Sequence, residues 1–245
     1  MKVASIVPIK YLHLTKNDDY FMALAPLVLE SKEYAHFFQM RSEEGKFVLL
    51  DNGAHESSSL DILAVHAAAH VIGATEIILP DVIGDTAATL EATYRGMKHF
   101  RTMDLLDGHK LMMVPQGADL TEWTTCFHMM MQLRPDSIGV PKMLTHRSGI
   151  NARLTAVTRV SMYMQGNAIG LHLLGVWTSV EELYLFKNNT YVRGVDSTLP
   201  YLYAREGRVL GDGNKPTTIM DPYDEKTYEP LLKSNLNAWR IHAEV

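Results

Sequence analysis

The chain has 245 residues, of which 47% are hydrophobic and 21% charged, and its formal net charge is −5. The single cysteine, Cys126, excludes an internal disulfide and a multi-cysteine zinc site, and no apolar run approaches the roughly 20 residues that span a membrane. The small excess of acidic residues does not demand a polyanionic partner, so a nucleic-acid surface would have to be a local basic patch.

Short apolar runs alternate with segments of helical periodicity along the chain. In chain order, strands are predicted at residues 2–9, 47–52, 76–82, 110–116, 137–142, 168–176 and 191–196. Helices are predicted at residues 18–41, 59–72, 85–103, 119–133, 146–164 and 179–187, with a last one at 227–242. Asp85 and Asp119 stand where N-cap residues are expected, directly before two of these helices.

This alternation predicts one α/β domain over residues 1–245, with a parallel sheet covered by helices. A (β/α)8 TIM-like barrel and an open doubly wound sheet both fit the pattern. The barrel is favoured because no glycine-rich dinucleotide loop follows the first strand. An irregular eighth strand is expected at residues 208–210 or at residues 217–220.

Polar residues stand at several predicted strand ends, where a barrel carries its active site. Asp51, Asp81 and Asp196 end three of the strands, and Gln116 ends a fourth. An aspartate after a strand is often only a turn former, but three on one rim indicate a site. Paired carboxylates can divide nucleophilic and proton-transfer roles, and a carboxylate can attack the C1 carbon of a sugar.

Five short blocks carry a resemblance to a known family. They are Asp51-Asn52-Gly53, Leu79-Pro80-Asp81, Val114-Pro115-Gln116-Gly117, Leu173-Leu174-Gly175-Val176, and Gly194-Val195-Asp196 continuing to Pro200 and then to Ala204-Arg205-Glu206-Gly207. In this order they resemble the motifs of tRNA-guanine transglycosylases, which are barrel enzymes that exchange a guanine base. The resemblance covers residues 51–207 and implies a covalent glycosyl-aspartate intermediate at Asp196.

The chain departs from the tRNA enzymes in lacking the three cysteines of their C-terminal zinc site. It is therefore more similar to the compact, zinc-free DNA-deazaguanine transglycosylases of bacteriophages and bacterial DNA-modification clusters. Lys142 stands near the position where bacterial tRNA enzymes carry a glutamate for an aminomethyl group. A cation there favours a neutral substituent, so 7-cyano-7-deazaguanine (preQ0) is the expected incoming base.

The resemblance implies a role for each candidate residue. Asp196 is the nucleophile and Asp51 carries the proton of the incoming base. Asp81 reads the amidine-like edge of the purine, Gln116 and the Gly139 amide bind its O6 face, and His55 and Leu174, beside Gly175, enclose the ring. The predicted nucleic-acid contacts are Arg205, Arg193 and Arg208.

Other readings of the sequence stay open. The chain is alternatively a tRNA-guanine transglycosylase, a barrel glycosidase that uses Asp51 and Asp196 as a carboxylate pair, or a non-catalytic nucleic-acid-binding subunit. The expected partners are DNA, or tRNA in the alternative, and the free 7-deazaguanine base, with homodimerisation undecided. No metal, cofactor or membrane contact is expected. A cytoplasmic location is expected, in the host cell if the chain is phage-encoded.

Overall fold

The computed structural model describes residues 1–53, 60–103, 108–165, 169–177 and 179–244. Its eight parallel strands are β1 (Lys2–Ser5), β2 (Tyr20–Leu24), β3 (Phe47–Asp51), β4 (Glu76–Ile78), β5 (Lys110–Met113), β6 (Ser137–Pro141), β7 (Gly170–Leu174) and β8 (Val192–Ser197). They form one sheet in the order β1-β8-β7-β6-β5-β4-β3-β2, which curls into a nearly closed barrel. β1 and β2 lie side by side, but the ladder of backbone hydrogen bonds between the described strands stops there and leaves one seam.

Helices alternate with the strands, so the chain has the predicted (β/α)8 TIM-like architecture. The helices are α1 (Ala25–Glu30), α2 (Lys32–Glu43), α3 (Ile62–Ile72), α4 (Thr86–Met103), α5 (Leu120–Met131), α6 (Met143–Ser148), α7 (Ile150–Met164), α8 (Leu199–Arg205) and α9 (Glu229–Glu244), with 3₁₀ segments at Ile9–Leu14 and Val180–Leu185. Within the described segments, no helix combines the length and the apolarity that a membrane span requires.

Side-chain caps set the starts of several helices, and both predicted caps are confirmed. Asp119 accepts hydrogen bonds from the Thr121 and Glu122 amides at 2.8 and 2.9 Å, and Asp85 accepts one from the Ala88 amide at 3.0 Å. These carboxylates satisfy amide groups that the first turn of a helix leaves without intrahelical partners. The loops that follow β4 and β5 therefore end at fixed positions on the rim.

The predicted helix over residues 18–41 is wrong in its first part. Residues Tyr20–Leu24 form β2, whose five side chains are all buried, as in a strand covered on both faces. Pro26 then stands in the first turn of α1, where proline is favoured. Ser31 caps α2 by accepting a hydrogen bond from the Tyr34 amide at 3.2 Å, so one predicted helix is a strand and two helices.

The predicted location of the eighth strand is also wrong. Neither residues 208–210 nor residues 217–220 form a strand, because β2 already completes the eight. The Leu210 amide instead donates a hydrogen bond to the side-chain oxygen of Asn235 at 2.9 Å. The segment predicted as a helix at 179–187 is the 3₁₀ turn Val180–Leu185, whereas the predicted C-terminal helix forms as α9.

A charged cluster fills the barrel at the amino ends of its strands. The Arg193 guanidinium donates two hydrogen bonds to the Glu76 carboxylate, at 2.7 and 2.9 Å, and Ser137 donates a third at 2.6 Å. Glu76, Ser137 and Arg193 belong to β4, β6 and β8, which are not neighbours in the sheet, so their side chains meet inside the barrel. Glu76 is fully buried and depends on Arg193 for its counter-charge.

Replacing this arginine therefore tests the cluster. Arg193→Met is expected to lower the free energy of unfolding by about 3–5 kcal/mol, because it leaves a buried carboxylate without a cation. Urea denaturation measures the difference. Arg95→Met is the matched control, since Arg95 pairs with Glu91 on the surface and such a pair contributes about 0–1 kcal/mol. Equal losses in the two variants would contradict a structural role for the buried pair.

Candidate active site

A cavity of about 790 Å³ opens at the carboxyl ends of the strands, a volume in the range of small-molecule sites. Apolar side chains form much of its wall, including Met22, Ile78 and Val114, and the segment 215–220 closes one side. Six of the residues predicted for the site line it: Asp51, Asp81, Gln116, Leu174, Gly175 and Asp196. The strand ends therefore gather these residues around one space, as the barrel geometry requires.

Asp196 is the most strongly organised carboxylate of the cavity. It is almost completely buried, and its Oδ1 accepts hydrogen bonds from Nε2 of His172 and from the Gly175 amide, both at 3.0 Å. Burial alone raises the pKa of the Asp196 carboxyl, but His172, the Gly175 amide and the positive charge of Lys142 outweigh it and lower that pKa. The carboxylate is therefore ionised at neutral pH, and since both of these bonds end on Oδ1, Oδ2 is the oxygen available to a ligand.

His172 is held in turn by Tyr20. The Tyr20 hydroxyl lies 2.8 Å from Nδ1 of His172, and both side chains are buried in the barrel. With the Tyr20 hydroxyl donating to Nδ1, the imidazole proton is at Nε2, where it faces Asp196. Burial raises the pKa of Tyr20, so the tyrosine keeps the proton that it donates. The chain of hydrogen bonds fixes both the tautomer of His172 and the orientation of Asp196.

A second polar group lies around Asp81. Its two carboxylate oxygens accept hydrogen bonds from Nδ2 of Asn52 at 3.1 Å and from Nε2 of Gln116 at 2.6 Å. Burial raises the pKa of the Asp81 carboxyl, and these two hydrogen bonds do not fully offset it. Asp81 thus differs from Asp196, because its surroundings disfavour the charge that it carries. A ligand that donates hydrogen bonds to Asp81 would relieve this cost.

Asp51 is the third carboxylate of the cavity. It ends β3, in register with Leu24 of β2, and it lies across the β1–β2 seam from Asp196 of β8. Two carboxylates on different walls of one cavity can act on a ligand held between them. Paired carboxylates of this kind are able to divide nucleophilic attack and proton transfer between them.

Gly175 requires a glycine for two reasons. Its φ is +68°, a left-handed conformation that other residues adopt at a cost, and a Cβ there would lie 2.5 Å from Cδ of Lys142. The Lys142 side chain therefore lies directly against the backbone that donates a hydrogen bond to Asp196. Lys142 also lines the cavity, together with Leu174.

Gly139 is not among the described residues that line the cavity. Gly139 lies within β6, paired with His172 in β7, and a Cβ there would come within 2.7 Å of Cδ1 of Leu174. The glycine therefore makes room for the Leu174 side chain, and the predicted contact of its amide with a ligand stays a prediction. His55 lies outside the described residues.

The three arginines predicted to contact nucleic acid are engaged in the fold. Arg193 lies in the charged cluster at the opposite end of the barrel. Arg205 pairs with Asp224 at 3.2 Å and donates to the Ile219 carbonyl at 2.7 Å. Arg208 pairs with Glu206 at 2.8 Å and also donates to the carbonyls of residues 212 and 214. Arg205 and Arg208 thus contact the segment that closes the cavity, and the contacts of the three arginines with nucleic acid stay predictions.

Sequence analysis missed four residues of the site, namely Asn52, Tyr20, His172 and Lys215. Asn52 follows Asp51 directly, but which of the two faces Asp81 depends on the twist of β3. His172 lies inside a strand, where a histidine is usually a buried core residue. Tyr20 belongs to a segment that the sequence predicted to be helical. Lys215 reaches the cavity from a loop without regular periodicity. A buried histidine next to a Leu-Leu-Gly strand end was the one signal in the sequence.

Comparison with known proteins does not place the chain in a family. No protein-family model matches its sequence, and no curated protein matches it. The resemblance to tRNA-guanine transglycosylases therefore rests on the five short blocks and stays a prediction.

The raised pKa of Asp81 predicts a pH dependence. Because the folded state holds this proton more tightly than the unfolded state does, the contribution of Asp81 to stability falls as the pH rises above about 4, the unfolded pKa of an aspartate. Asp81→Asn removes this loss, so the stability of the variant relative to wild type is expected to improve between pH 4 and pH 7. Urea denaturation across this range measures the trend. Asp196→Asn is the control, because the lowered pKa of Asp196 gives it the opposite sign.

Proposed function

We propose that the chain is a base-exchange transglycosylase that replaces guanine in DNA with a 7-deazaguanine, with Asp196 as the nucleophile. The observation that carries the proposal is the Asp196 carboxylate, which is held ionised by His172 and Gly175 in a cavity that Asp81 also lines. One carboxylate suits attack on a sugar carbon, and the other suits recognition of a base.

In the first step, Oδ2 of Asp196 forms a bond to C1′ of the target nucleotide. The bond between C1′ and N9 of guanine breaks, and its electron pair leaves with the base. In the second step, N9 of the incoming deazaguanine attacks C1′, and the bond to Asp196 breaks and restores the carboxylate. Two displacements at one carbon retain its configuration. Asp51 takes the N9 proton of the incoming base and gives a proton to the departing guanine.

Asp81 is the proposed reader of the purine. A carboxylate accepts only, and its two oxygens have room for more hydrogen bonds than those from Asn52 and Gln116. The N1–H and 2-amino groups of guanine and of 7-deazaguanine are adjacent donors that fit such an acceptor. The target nucleotide has to leave the base stack to reach this depth, as in other enzymes that act on a base.

Lys142 supports a neutral 7-substituent. Its stem lies against Gly175 in the cavity wall, so a protonated aminomethyl group nearby would face a like charge. The nitrile of preQ0 carries no charge and avoids this repulsion. DNA is preferred over tRNA as the polymer because the single cysteine cannot build the zinc site of the tRNA enzymes.

Base incorporation tests the proposal. The purified protein is incubated with preQ0 and either duplex DNA, single-stranded DNA or tRNA, and the nucleosides are analysed by mass spectrometry. We expect incorporation into DNA. Asp196→Ala is expected to reduce it on the order of a thousandfold or more, because the covalent route is lost. Asp212→Ala, at an exposed aspartate, is the matched control and keeps wild-type activity.

Each other outcome has a definite meaning. Incorporation into tRNA alone would keep the chemistry and change the polymer. Release of a sugar or a base without incorporation would favour the glycosidase reading. No incorporation and no covalent adduct at Asp196, sought by mass spectrometry of the protein after incubation with DNA, would overturn the transglycosylase proposal.

The Tyr20 hydroxyl does not contact Asp196 directly, because His172 lies between the two side chains. Its removal is nevertheless expected to lower the turnover rate. Tyr20→Phe removes the donor that fixes His172, so kcat for base exchange is expected to fall about tenfold with KM for DNA unchanged. Steady-state kinetics separates the two constants. Tyr94→Phe, at an exposed tyrosine of α4, is the control. A change confined to KM would contradict a positioning role for Tyr20.

A further inference from the structure

The three arginines predicted to contact DNA each make contacts within the fold, which directs attention to other cations near the cavity. Two lysines line the cavity instead, Lys142 at the end of β6 and Lys215 in the segment that closes one side. Both are half-buried. Among the described residues, neither has a carboxylate within ion-pair distance, although buried lysines are usually paired.

The carboxylate whose charge reaches Lys215 is that of Glu182, and it already pairs with Arg153. Glu182 is buried, pairs with Arg153 at 2.7 Å, and accepts a hydrogen bond from the Trp177 amide at 2.8 Å. Arg153 therefore offsets much of its charge. Lys142 in turn interacts with the charge of Asp196, but in the part of the cavity wall that the structure describes neither ammonium has a carboxylate in direct contact.

The two ammonium groups are close enough to affect each other. Burial lowers the pKa of Lys215, and the charge of Lys142 lowers it further. Lys215 is also held in place, because its Nζ lies 4.6 Å from the ring centroid of Trp177, which in turn contacts His146 at 4.4 Å between centroids. An anion between the lysines would relieve the repulsion without moving either side chain.

Lys142 fixes where this anion sits relative to the chemistry. A Cβ on Gly175 would lie 3.2 Å from Nζ of Lys142, and the Gly175 amide is bonded to Asp196. The ammonium is thus next to the carboxylate that attacks the sugar. In a polynucleotide, the anion nearest to a sugar carbon is the phosphodiester attached to the same sugar.

We propose that Lys142 and Lys215 form an anion site that binds one phosphodiester group flanking the target nucleotide. The proposal rests on the proposed function, since it takes the polymer substrate from it. The site would hold the sugar while the base is exchanged, and it would contribute to affinity without reading the sequence.

Salt dependence of DNA binding tests the site without turnover. Fluorescence anisotropy of a labelled duplex gives the dissociation constant across a range of salt concentrations. Because one neutralised phosphate contributes about 0.9 to the slope of log K against log salt, the Lys142→Gln/Lys215→Gln double variant should lose about one unit of slope. Lys187→Gln is the matched control, because Lys187 also lies over an aromatic ring, that of Tyr184, but outside the cavity. An unchanged slope in the double variant would overturn the site.

Chemically neutral linkages locate the phosphate, and its position is read from the wild-type protein alone. A methylphosphonate is placed at one linkage at a time around the target nucleotide. We expect one linkage beside the target to weaken binding by wild type, and the same substitution to have no effect on the double variant. Equal sensitivity of both proteins at every linkage would contradict the proposal.

The outcomes separate this site from the proposed function. Loss of slope and a single sensitive linkage without any base incorporation would keep the site and overturn the chemistry. Incorporation with an unchanged slope would keep the chemistry and overturn the site. If the lysines instead bind an anionic substituent of the free base, the double variant would lose affinity for a 7-carboxylate base and not for DNA.

Discussion

The charge on Asp196 is buried, and the structure around the cavity depends on how that charge is stabilised. A buried carboxylate needs donors at fixed positions, and here they come from the neighbouring strand. The parallel pairing of β7 with β8 sets Leu173 opposite Val195 and so brings His172 and the end of β7 to Asp196. The backbone at Gly175 turns into a left-handed conformation, and its amide then points at the carboxylate. Arg153 donates hydrogen bonds to the Leu174 and Gly175 carbonyls and keeps this turn in place.

The barrel interior holds polar groups at both ends, and they behave differently. At the amino ends, Glu76 has a full complement of partners in Arg193 and Ser137, which is the pattern of a structural ion pair. At the carboxyl ends, Asp81 has partners that leave its pKa raised by burial, as is common for carboxyl groups in functional sites. Tyr20 lies between these layers, because its ring is near Arg193 while its hydroxyl reaches His172.

The barrel and six cavity residues could be predicted from the sequence because both follow from local patterns. Strand ends in a parallel barrel share one rim, so Asp51, Asp81 and Asp196 had to be near one another once the alternation was recognised. The sequence did not predict β2, because a fully buried strand shows no alternation of apolar and polar residues. Its apolar residues also continue directly into α1, which has Pro26 in its first turn. The contacts of the arginines depend on which carboxylates and carbonyls the fold places beside them, and a sequence pattern does not reveal these neighbours.

The two buried aspartates of the cavity have pKa values moved in opposite directions, and this separates their roles. Asp196 is stabilised as an anion before any ligand arrives, which is what the proposed attack on a sugar carbon requires. Asp81 gains stability only when further donors reach it, so a ligand with adjacent N–H groups binds with part of its free energy drawn from relieving that carboxylate. The N1–H and 2-amino groups of a guanine lie side by side in one plane, so both can donate to one carboxylate. Under the proposed function, the purine edge therefore offsets the burial of Asp81, whereas Asp196 needs no ligand to stay ionised.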